Sequence, residues 1–387
     1  MDIRRLTGEE RKEAGRISLI AFHGRAEDIE KKKEEWARDT VEDWGAFADD
    51  GALAARVVNN RFTVWLCGRA VECGGIGGVS TLPEYRESGA VRQIFARLLP
   101  AARENGEIIS GLYPFSHGFY RKFGYDTVGF RTEYAFSPRA LKGHAHKGWV
   151  KQWKEGEPVD GFLSVYDVFA RDWELAMVRT PEMMRERHFG GSFYKDRKFR
   201  YLLGDGNGAT GYVLFEDVKD LKGAQLKVEE AAWTGPAGFE AVLGFLARFT
   251  ADYGEIALPL PTGVDLRGMV EDPYALTIRP QGSYMIRIVN MEKALSLIRA
   301  AEGVTIRVYG DEQIPENNGV WRVEGGRAVP ADGEADLETS ARAMGRILSG
   351  AASLYEAQLR GDARVLSKRD TLEAVFVRKG IYVGDFF

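Results

Sequence analysis

The sequence predicts an α/β (α+β) protein of three domains, with mixed sheets flanked by helices. Three observations predict it. The chain has 387 residues, and a single core of ordinary size serves about 150. Residues 50–113 read as hairpin, strand, helix and strand, and the same order returns between 199 and 260 without obvious sequence identity. The remaining C-terminal stretch follows a different order. The expected boundaries are 1–150, 151–284 and 285–387.

The elements follow from period and punctuation. Ile3 to Leu6 is a short strand, and Thr7-Gly-Glu-Glu10 is a capping box opening a helix that carries Ala14, Ile17, Ile20 and Ala21. Residues 25–40 are highly charged and read as an exposed helix or loop. Leu53 to Leu66 is an extended run broken by the turn signal Asn59-Asn60, and Val71 to Leu82 is a glycine-rich strand. After Pro83 the period changes to 3.6: Val91, Ile94, Phe95, Leu98, Leu99 and Ala102 form an apolar stripe that stops near Asn105-Gly106. Ile108 to Tyr113 is the next strand. In the second region, Phe199 to Phe215 is a hairpin around Asp205-Gly-Asn-Gly208. Leu226 to Trp233 is a strand, Phe239 to Phe249 lies on a helix ending by Gly254, and Ile256 to Leu260 is a strand. In the third, Met285 to Val289 is a strand, Asn290 caps a helix from Met291 to Ala301, and Val304–Val308 and Gly319–Val323 are strands before a Gly325-Gly326 turn.

Composition excludes several classes of function. Lys plus Arg is 53 and Asp plus Glu is 57, a net charge of −4 that argues against a general nucleic-acid binder. The two cysteines, Cys67 and Cys73, exclude a disulfide framework and a four-cysteine zinc site. Both are expected to lie buried in strands. His23, His117, His144, His146 and His188 form no H-E-x-x-H pattern, and the acidic run Asp332 to Glu338 reads as a surface loop; no metal is expected. No apolar run is long enough for a membrane span and the start lacks a signal-peptide core, so a cytoplasmic protein without a membrane partner is expected. Thr180-Pro-Glu182 reads as a helix start, with Arg185, Arg187 and His188 on a solvated face.

The best site candidate is Gly78-Val-Ser-Thr-Leu-Pro-Glu-Tyr-Arg-Glu-Ser-Gly-Ala-Val-Arg92, where a glycine-rich strand runs through a turn into an amphipathic helix. A helix N-terminus offers free N–H groups to a pyrophosphate, Gly89 allows close approach, and Arg86 and Arg92 add charge. On spacing alone it also reads as an ordinary strand–turn–helix with a surface arginine. It is neither a Walker loop nor a dinucleotide-binding G-x-G-x-x-G.

Arg86-x-x-Gly89 after a strand resembles the acetyl-CoA pyrophosphate loop of the GNAT acyltransferases. The string Gly77-Gly-Val-Ser-Thr-Leu-Pro-Glu-Tyr-Arg86, Leu112-Tyr-Pro-Phe-Ser-His-Gly-Phe-Tyr-Arg-Lys-Phe-Gly-Tyr125 and the ending Gly384-Asp-Phe-Phe387 are similar to the Eis (enhanced intracellular survival) family in particular. The resemblance covers essentially the whole chain and is strongest between 74 and 128. It implies two tandem GNAT-like domains, then a sterol-carrier-protein-like α+β domain, and an acetyl-CoA-dependent N-acetyltransferase working in a ternary complex. It places the pantetheine arm on Val79, Ser80 and Thr81, and the pyrophosphate on the loop and helix start with Arg86, Glu87, Ser88, Gly89, Ala90, Val91 and Arg92. Phe115 and Ser116 also touch the cofactor. Tyr120 is the general acid, and the Phe387 carboxylate is the general base.

The residues alone leave Tyr125 as a rival to Tyr120, and both as core aromatics. A tyrosine near its ordinary pKa of about 10 stays protonated at neutral pH and can donate. The loop departs from the broader pattern at Val91, where a small residue is usual, and Glu87 and Ser88 make it less basic. In the second region Trp233-Thr-Gly-Pro-Ala-Gly-Phe239 occupies the equivalent turn without Arg-x-x-Gly, and Pro236 lacks an N–H. This domain is expected not to bind acetyl-CoA. The acceptor is a small-molecule amine: aminoglycosides, as for some Eis-like enzymes, polyamines or lysine-like amines. Asp385 would suit an acidic acceptor pocket, and Trp36, Trp44 and Trp65 would line it or pack in the core. The resemblance further implies a homo-oligomer, with a hexamer among the forms. The alternative is a catalytically idle acetyl-CoA- or lipid-binding or sensor protein.

Overall fold

The computed structural model describes residues 1–22, 40–190, 196–220 and 223–386. His23, Trp36, the charged segment 25–39 and Phe387 lie outside the described residues. The chain forms two compact units, Met1–Val128 with Ser283–Arg378 and Gly129–Gly282 with Lys379–Phe386.

The first unit starts with β1 (Asp2–Arg5) and α1 (Gly8–Phe22), where the Glu10 carboxylate accepts the Thr7 N–H at 2.8 Å. Strands β2 (Val41–Phe47), β3 (Leu53–Leu66) and β4 (Arg69–Thr81) continue the sheet as antiparallel neighbours. The expected break at Asn59-Asn60 is absent: β3 runs through both. The Asn59 amide donates to Glu107 at 2.9 Å and the Asn60 amide to the Gly75 carbonyl at 3.2 Å, so these side chains satisfy neighbours instead of turning the chain. The turn comes at Cys67-Gly68, both at positive φ, as a tight hairpin requires. Cys67 is therefore a half-buried turn residue, while Cys73 is buried as expected. Helix α2 (Ala90–Glu104) crosses over to β5 (Ile109–Leu112), which pairs with β4 in parallel. The short helix α3 (His117–Arg121) follows, then β6 (Asp126–Phe136), along which the chain passes into the second unit.

The second unit holds β6, β7 (Trp149–Gln152), α4 (Asp160–Ala170), α5 (Pro181–His188), β8 (Lys198–Asp205), β9 (Gly208–Asp220), β10 (Gly223–Trp233), α6 (Gly235–Leu246) and β11 (Glu255–Leu260). The strand order is β6-β11-β10-β9-β8-β7. Strands β9 and β10 are antiparallel, α6 crosses over, and β11 is parallel to β10. That is the plan of β3, β4, α2 and β5, as the repeated pattern predicted. The turn into α6 is closed: a Cβ on Gly238 would overlap the Thr210 carbonyl oxygen.

The chain returns to the first unit along β12 (Thr277–Ile288), whose residues Met285 to Ile288 pair antiparallel with β5. Asn290 caps α7 (Met291–Leu295) through the Lys293 N–H, but the helix stops well short of Ala301. Strands β13 (Val304–Tyr309), β14 (Gly319–Glu324), β15 (Arg327–Pro330), β16 (Leu337–Ser340) and β17 (Ala363–Val365) form a separate sheet ordered β15-β14-β13-β16-β17. Helices α8 (Ala341–Leu348), α9 (Leu354–Leu359) and α10 (Arg369–Val375) complete it. Asp336 is not in an open loop: it accepts from the Thr305 N–H and meets Lys368. The whole is a mixed α/β fold with helix-flanked sheets.

The last residues are held within the second unit by a buried network. Arg179 donates to Glu230 at 2.8 and 2.6 Å and to Asp385 at 3.0–3.1 Å, stacked 3.7 Å over Tyr166. Tyr212 and Tyr382 donate to Glu230. Burial disfavours the charge on Asp385, but Arg179 and His188 outweigh it and hold the carboxyl below its ordinary range. Asp385 is thus consumed by an ion pair and offers no open negative charge to an acceptor. The α5 face is not simply solvated either: Arg187 donates to the Phe386 carbonyl and His188 meets Asp385 at 3.3 Å.

Candidate functional site

The site is built where β4 and β5 part. Their pairing runs from Cys73↔Ile109 to Ile76↔Leu112, β5 ends there, and β4 continues to Thr81. On its other side β4 slips register: Arg56 faces Ser80, but Val58 faces Gly77. The extra residue is a β-bulge, which leaves backbone groups outside the ladder and bends the strand. Gly78 makes it possible, with φ of +57° and Val58 Cγ2 only 2.9 Å from where a Cβ would stand. Val79 and Thr81 are half-buried and Ser80 is buried, its hydroxyl donating to the Gly78 carbonyl at 3.0 Å. Behind the bulge, Arg56 is locked by two bonds to Asp43, at 2.8 and 2.6 Å.

From β4 the chain turns through a 3₁₀ segment, Pro83–Tyr85, into α2. Glu87 has φ of +66° and Gly89 φ of +79°, so the backbone doubles back before the helix. Gly89 is the N-cap and supplies no side chain; the Ser88 hydroxyl makes only a long 3.4 Å contact with the Ala90 N–H. The first-turn N–H groups of a helix have no intrahelical partner, and among the described residues no side-chain oxygen caps Val91 or Arg92. Arg86, Glu87, Ser88, Gly89 and Arg92 are exposed around this opening, Val91 is half-buried, and Ala90 is buried. The donors, positive helix end and two arginines suit a pyrophosphate; the splayed strand gives an extended amide-bearing arm a backbone edge. These residues therefore fit acetyl-CoA.

Beyond β5, Phe115 is 67% exposed and lies edge-on to Tyr120, ring centroids 5.2 Å apart. Ser116 is the N-cap of α3, accepting from the Phe119 N–H at 3.3 Å, a use of its hydroxyl that the sequence reading did not anticipate. Tyr120 sits in the core cluster that also holds Ile76, Ala90, Ile94 and Leu112, with Val79 packed against it. The sheet end, the helix start and α3 thus converge.

The two candidate tyrosines differ. Tyr125 is fully buried; its hydroxyl is 2.8 Å from Ser110 Oγ, which donates in turn to the Gly74 carbonyl at 2.9 Å. Tyr120 is 3% exposed, and among the described residues its hydroxyl has no hydrogen-bond partner. Burial pushes both phenols above their ordinary value. The proposed base, Phe387, cannot be placed because it lies outside the described residues. Trp44 packs in the core at 8% exposure.

Sequence reasoning missed three features, because each joins residues far apart in the chain. Tyr284 packs against Gly111, where a Cβ would overlap its hydroxyl. Arg287 is 2% exposed and donates to the Phe123 carbonyl just past α3, at 2.6 Å, and to Asp311 at 2.7 Å. Glu107 is 1% exposed; Asn59 donates to its Oε1, while its Oε2 and Asn59 Oδ1 are buried without partners among the described residues, both alongside Gly74. Burial, reinforced by Glu42 and Glu72, raises the Glu107 carboxyl to about 7.

Comparison with known proteins identifies two domains and the fold. Residues 2–128 match the family model described as an acetyltransferase (GNAT) domain, and residues 291–383 match that of a sterol carrier protein domain. No curated protein matches the chain by sequence. Among solved structures, a GCN5-related N-acetyltransferase from Anabaena variabilis superposes with a TM-score of 0.87 at 20% identity over 100% of both chains. A probable N-acyltransferase from Enterococcus faecalis gives 0.84 at 21% identity, over 98% of this chain and 97% of that one. Eis1 from Mycobacterium abscessus gives 0.83 at 21% identity over 100% of both. At these identities the likeness is one of fold.

Proposed function

We propose that this chain, an N-acetyltransferase by its GNAT domain, moves an acetyl group from acetyl-CoA directly to a primary amine in a ternary complex, with Tyr120 as the proton donor. The observation that carries the assignment of Tyr120 is its hydroxyl, which has no hydrogen-bond partner among the described residues, where Tyr125 is committed to Ser110. Acetyl-CoA supplies an activated thioester. The β4 edge at Val79, Ser80 and Thr81 holds the pantetheine arm; the loop from Arg86 to Arg92 holds the pyrophosphate, and Phe115 and Ser116 border the reactive end. The amine nitrogen forms its bond to the acetyl carbon as the carbon–sulfur bond breaks. Tyr120 donates its hydroxyl hydrogen to the departing sulfur, stabilising the charge that develops there. Its raised pKa keeps that hydrogen in place throughout the neutral range. The amine's surplus proton leaves to a base, which the resemblance assigns to the Phe387 carboxylate.

The finer reading is an Eis-like enzyme that accepts aminoglycosides, polyamines or lysine-like amines and assembles as a homo-oligomer in the cytoplasm. An amine panel of these classes, incubated with acetyl-CoA and read by mass spectrometry, tests it. One or more 42-Da additions, about the mass of an acetyl replacing hydrogen, are expected on at least one acceptor. Acetyl-CoA binding with no acetylated product would favour the idle binding protein instead.

A further inference from the structure

The first unit holds a second polar cluster, none of whose residues is assigned to the acetyl-transfer site above. Asp126, 1% exposed, is approached by four arginines from three separate segments. Arg121 Nε and Nη2 each stand 3.3 Å from its Oδ1, which also accepts the Thr127 N–H at 2.9 Å. Arg342 Nε, Arg346 Nη1 and Arg360 Nη2 stand 3.8, 3.8 and 3.9 Å from Oδ2. Charge-assisted bonds close to about 2.7–2.9 Å when nothing opposes them. Here three guanidinium groups compete for one oxygen and none closes.

The charges do not balance. Arg360 has its own carboxylate, Asp362, at 2.8 Å. Among the described residues Arg121 and Arg342 have Asp126 as their carboxylate within ion-pair distance, and Arg346 has Asp126 together with the field of Asp362. Arg342 and Arg346 are four apart on α8, where like charges repel. Burial and the neighbouring Arg360 both press Arg346 toward losing its proton.

Beside this cluster lies a cavity of about 260 Å³ lined by Arg121, Lys122, Gln313, Ser340 and Arg342 among others. Two carboxylates border it. Asp311 is spent on Arg287, Asn317 and the N–H groups of Gln313 and Ile314. Glu312 is exposed. Gln313 Oε1 is buried with no partner among the described residues, and exchanging the amide's O and N leaves its other polar atom as the one that faces the cavity. Ser340 caps the start of α8, placing the positive helix end there as well.

We propose that Arg121 and Arg342, with Lys122 and Gln313, bind a phosphate group in this cavity, either free or carried by a small molecule. A tetrahedral anion presents enough oxygens to give each guanidinium a short bond; a lone carboxylate presents two. The site is separate from the acetyl-CoA loop but adjoins α3 through Arg121, the residue after Tyr120.

The test is calorimetric titration of the full chain, saturated with coenzyme A to fill the pyrophosphate loop. The probes are inorganic phosphate, pyrophosphate and adenosine 5′-monophosphate. Saturable binding is expected, and the tightest probe separates a free phosphate from a carried one. The paired change Lys122→Gln and Arg342→Gln is expected to weaken it by about tenfold or more without changing coenzyme A affinity. Arg342→Gln alone, at a half-exposed side chain, gives the same direction if the pair folds poorly. No saturation by ~10 mM of any probe, or equal binding by the folded variants, overturns the proposal.

Discussion

Glu107→Gln separates a proton held in the core from an ordinary buried carboxylate. With Glu107 ionised, its Oε2 and Asn59 Oδ1 are both buried acceptors with no donor among the described residues. A proton on Oε2 supplies the missing donor, and the acid and amide then pair through two hydrogen bonds. The Glu107 carboxyl is raised from 4.5 to about 7, first by burial and then by Glu42 and Glu72. The folded state therefore holds this proton over a range in which the unfolded chain has released it. Stability from this group is full below pH 4.5 and falls by about 1.4 kcal/mol per pH unit as pH rises toward 7. The total loss is about 3 kcal/mol, and above pH 7 the contribution is flat. The substituted amide keeps the shape of the acid and carries its donor at every pH. Urea unfolding of both proteins from pH 5 to 8, followed by tryptophan fluorescence, measures the difference. The variant is expected to gain on the parent by about 2.5 kcal/mol across that range, since nearly all of the change falls between 5 and 7. A stability difference that does not change with pH would refute the protonated pair.

Other substitutions address the site and its supports. Tyr120→Phe is expected to leave acetyl-CoA affinity unchanged and to lower turnover by about 10²–10⁴-fold. Tyr125→Phe keeps turnover and loses about 1 kcal/mol of stability with the Ser110 bond, so equal kinetic losses would defeat the distinction. Arg179→Met removes the buried cation that Glu230 and Asp385 share, leaving Asp385 with Arg187 and His188, and should cost about 3–5 kcal/mol in thermal or urea unfolding. Gly111→Ala drives a methyl into the Tyr284 hydroxyl and should cost about 1–3 kcal/mol by the same assay; an unchanged melting curve would mean Tyr284 repacks freely.

What the sequence made legible was local. The stripe from Val91 to Ala102 marked α2 and its stop at Asn105-Gly106, because period and caps are written within one turn of each other. The hairpin at Asp205–Gly208 was equally plain. Asn59-Asn60 misled because a turn-forming amide is indistinguishable in sequence from one that serves a buried neighbour, here Glu107 from another segment. Asp385 and His188 misled for a related reason: each looked open until Arg179 closed on Asp385. The loop from Arg86 to Arg92 was found as a backbone motif. The difference between Tyr120 and Tyr125 was not, because it depends on where Ser110 points its hydroxyl.

The first unit is discontinuous in the chain, and that has a cost during synthesis. Strand β5 receives its second neighbour only from Met285–Ile288, after residues 129–282 have been made. At about 5–20 residues per second the ribosome takes roughly 10–30 s to reach it. Through that interval the newly made β5 has an open edge, and Met285 and Val289 have yet to fill their places in the core around Phe95 and Tyr120. An open edge beside an unfilled apolar core invites pairing with other nascent chains. A truncation ending at residue 128 would make that vulnerable interval permanent, so the acetyltransferase domain should be expressed with its distant C-terminal partner rather than alone.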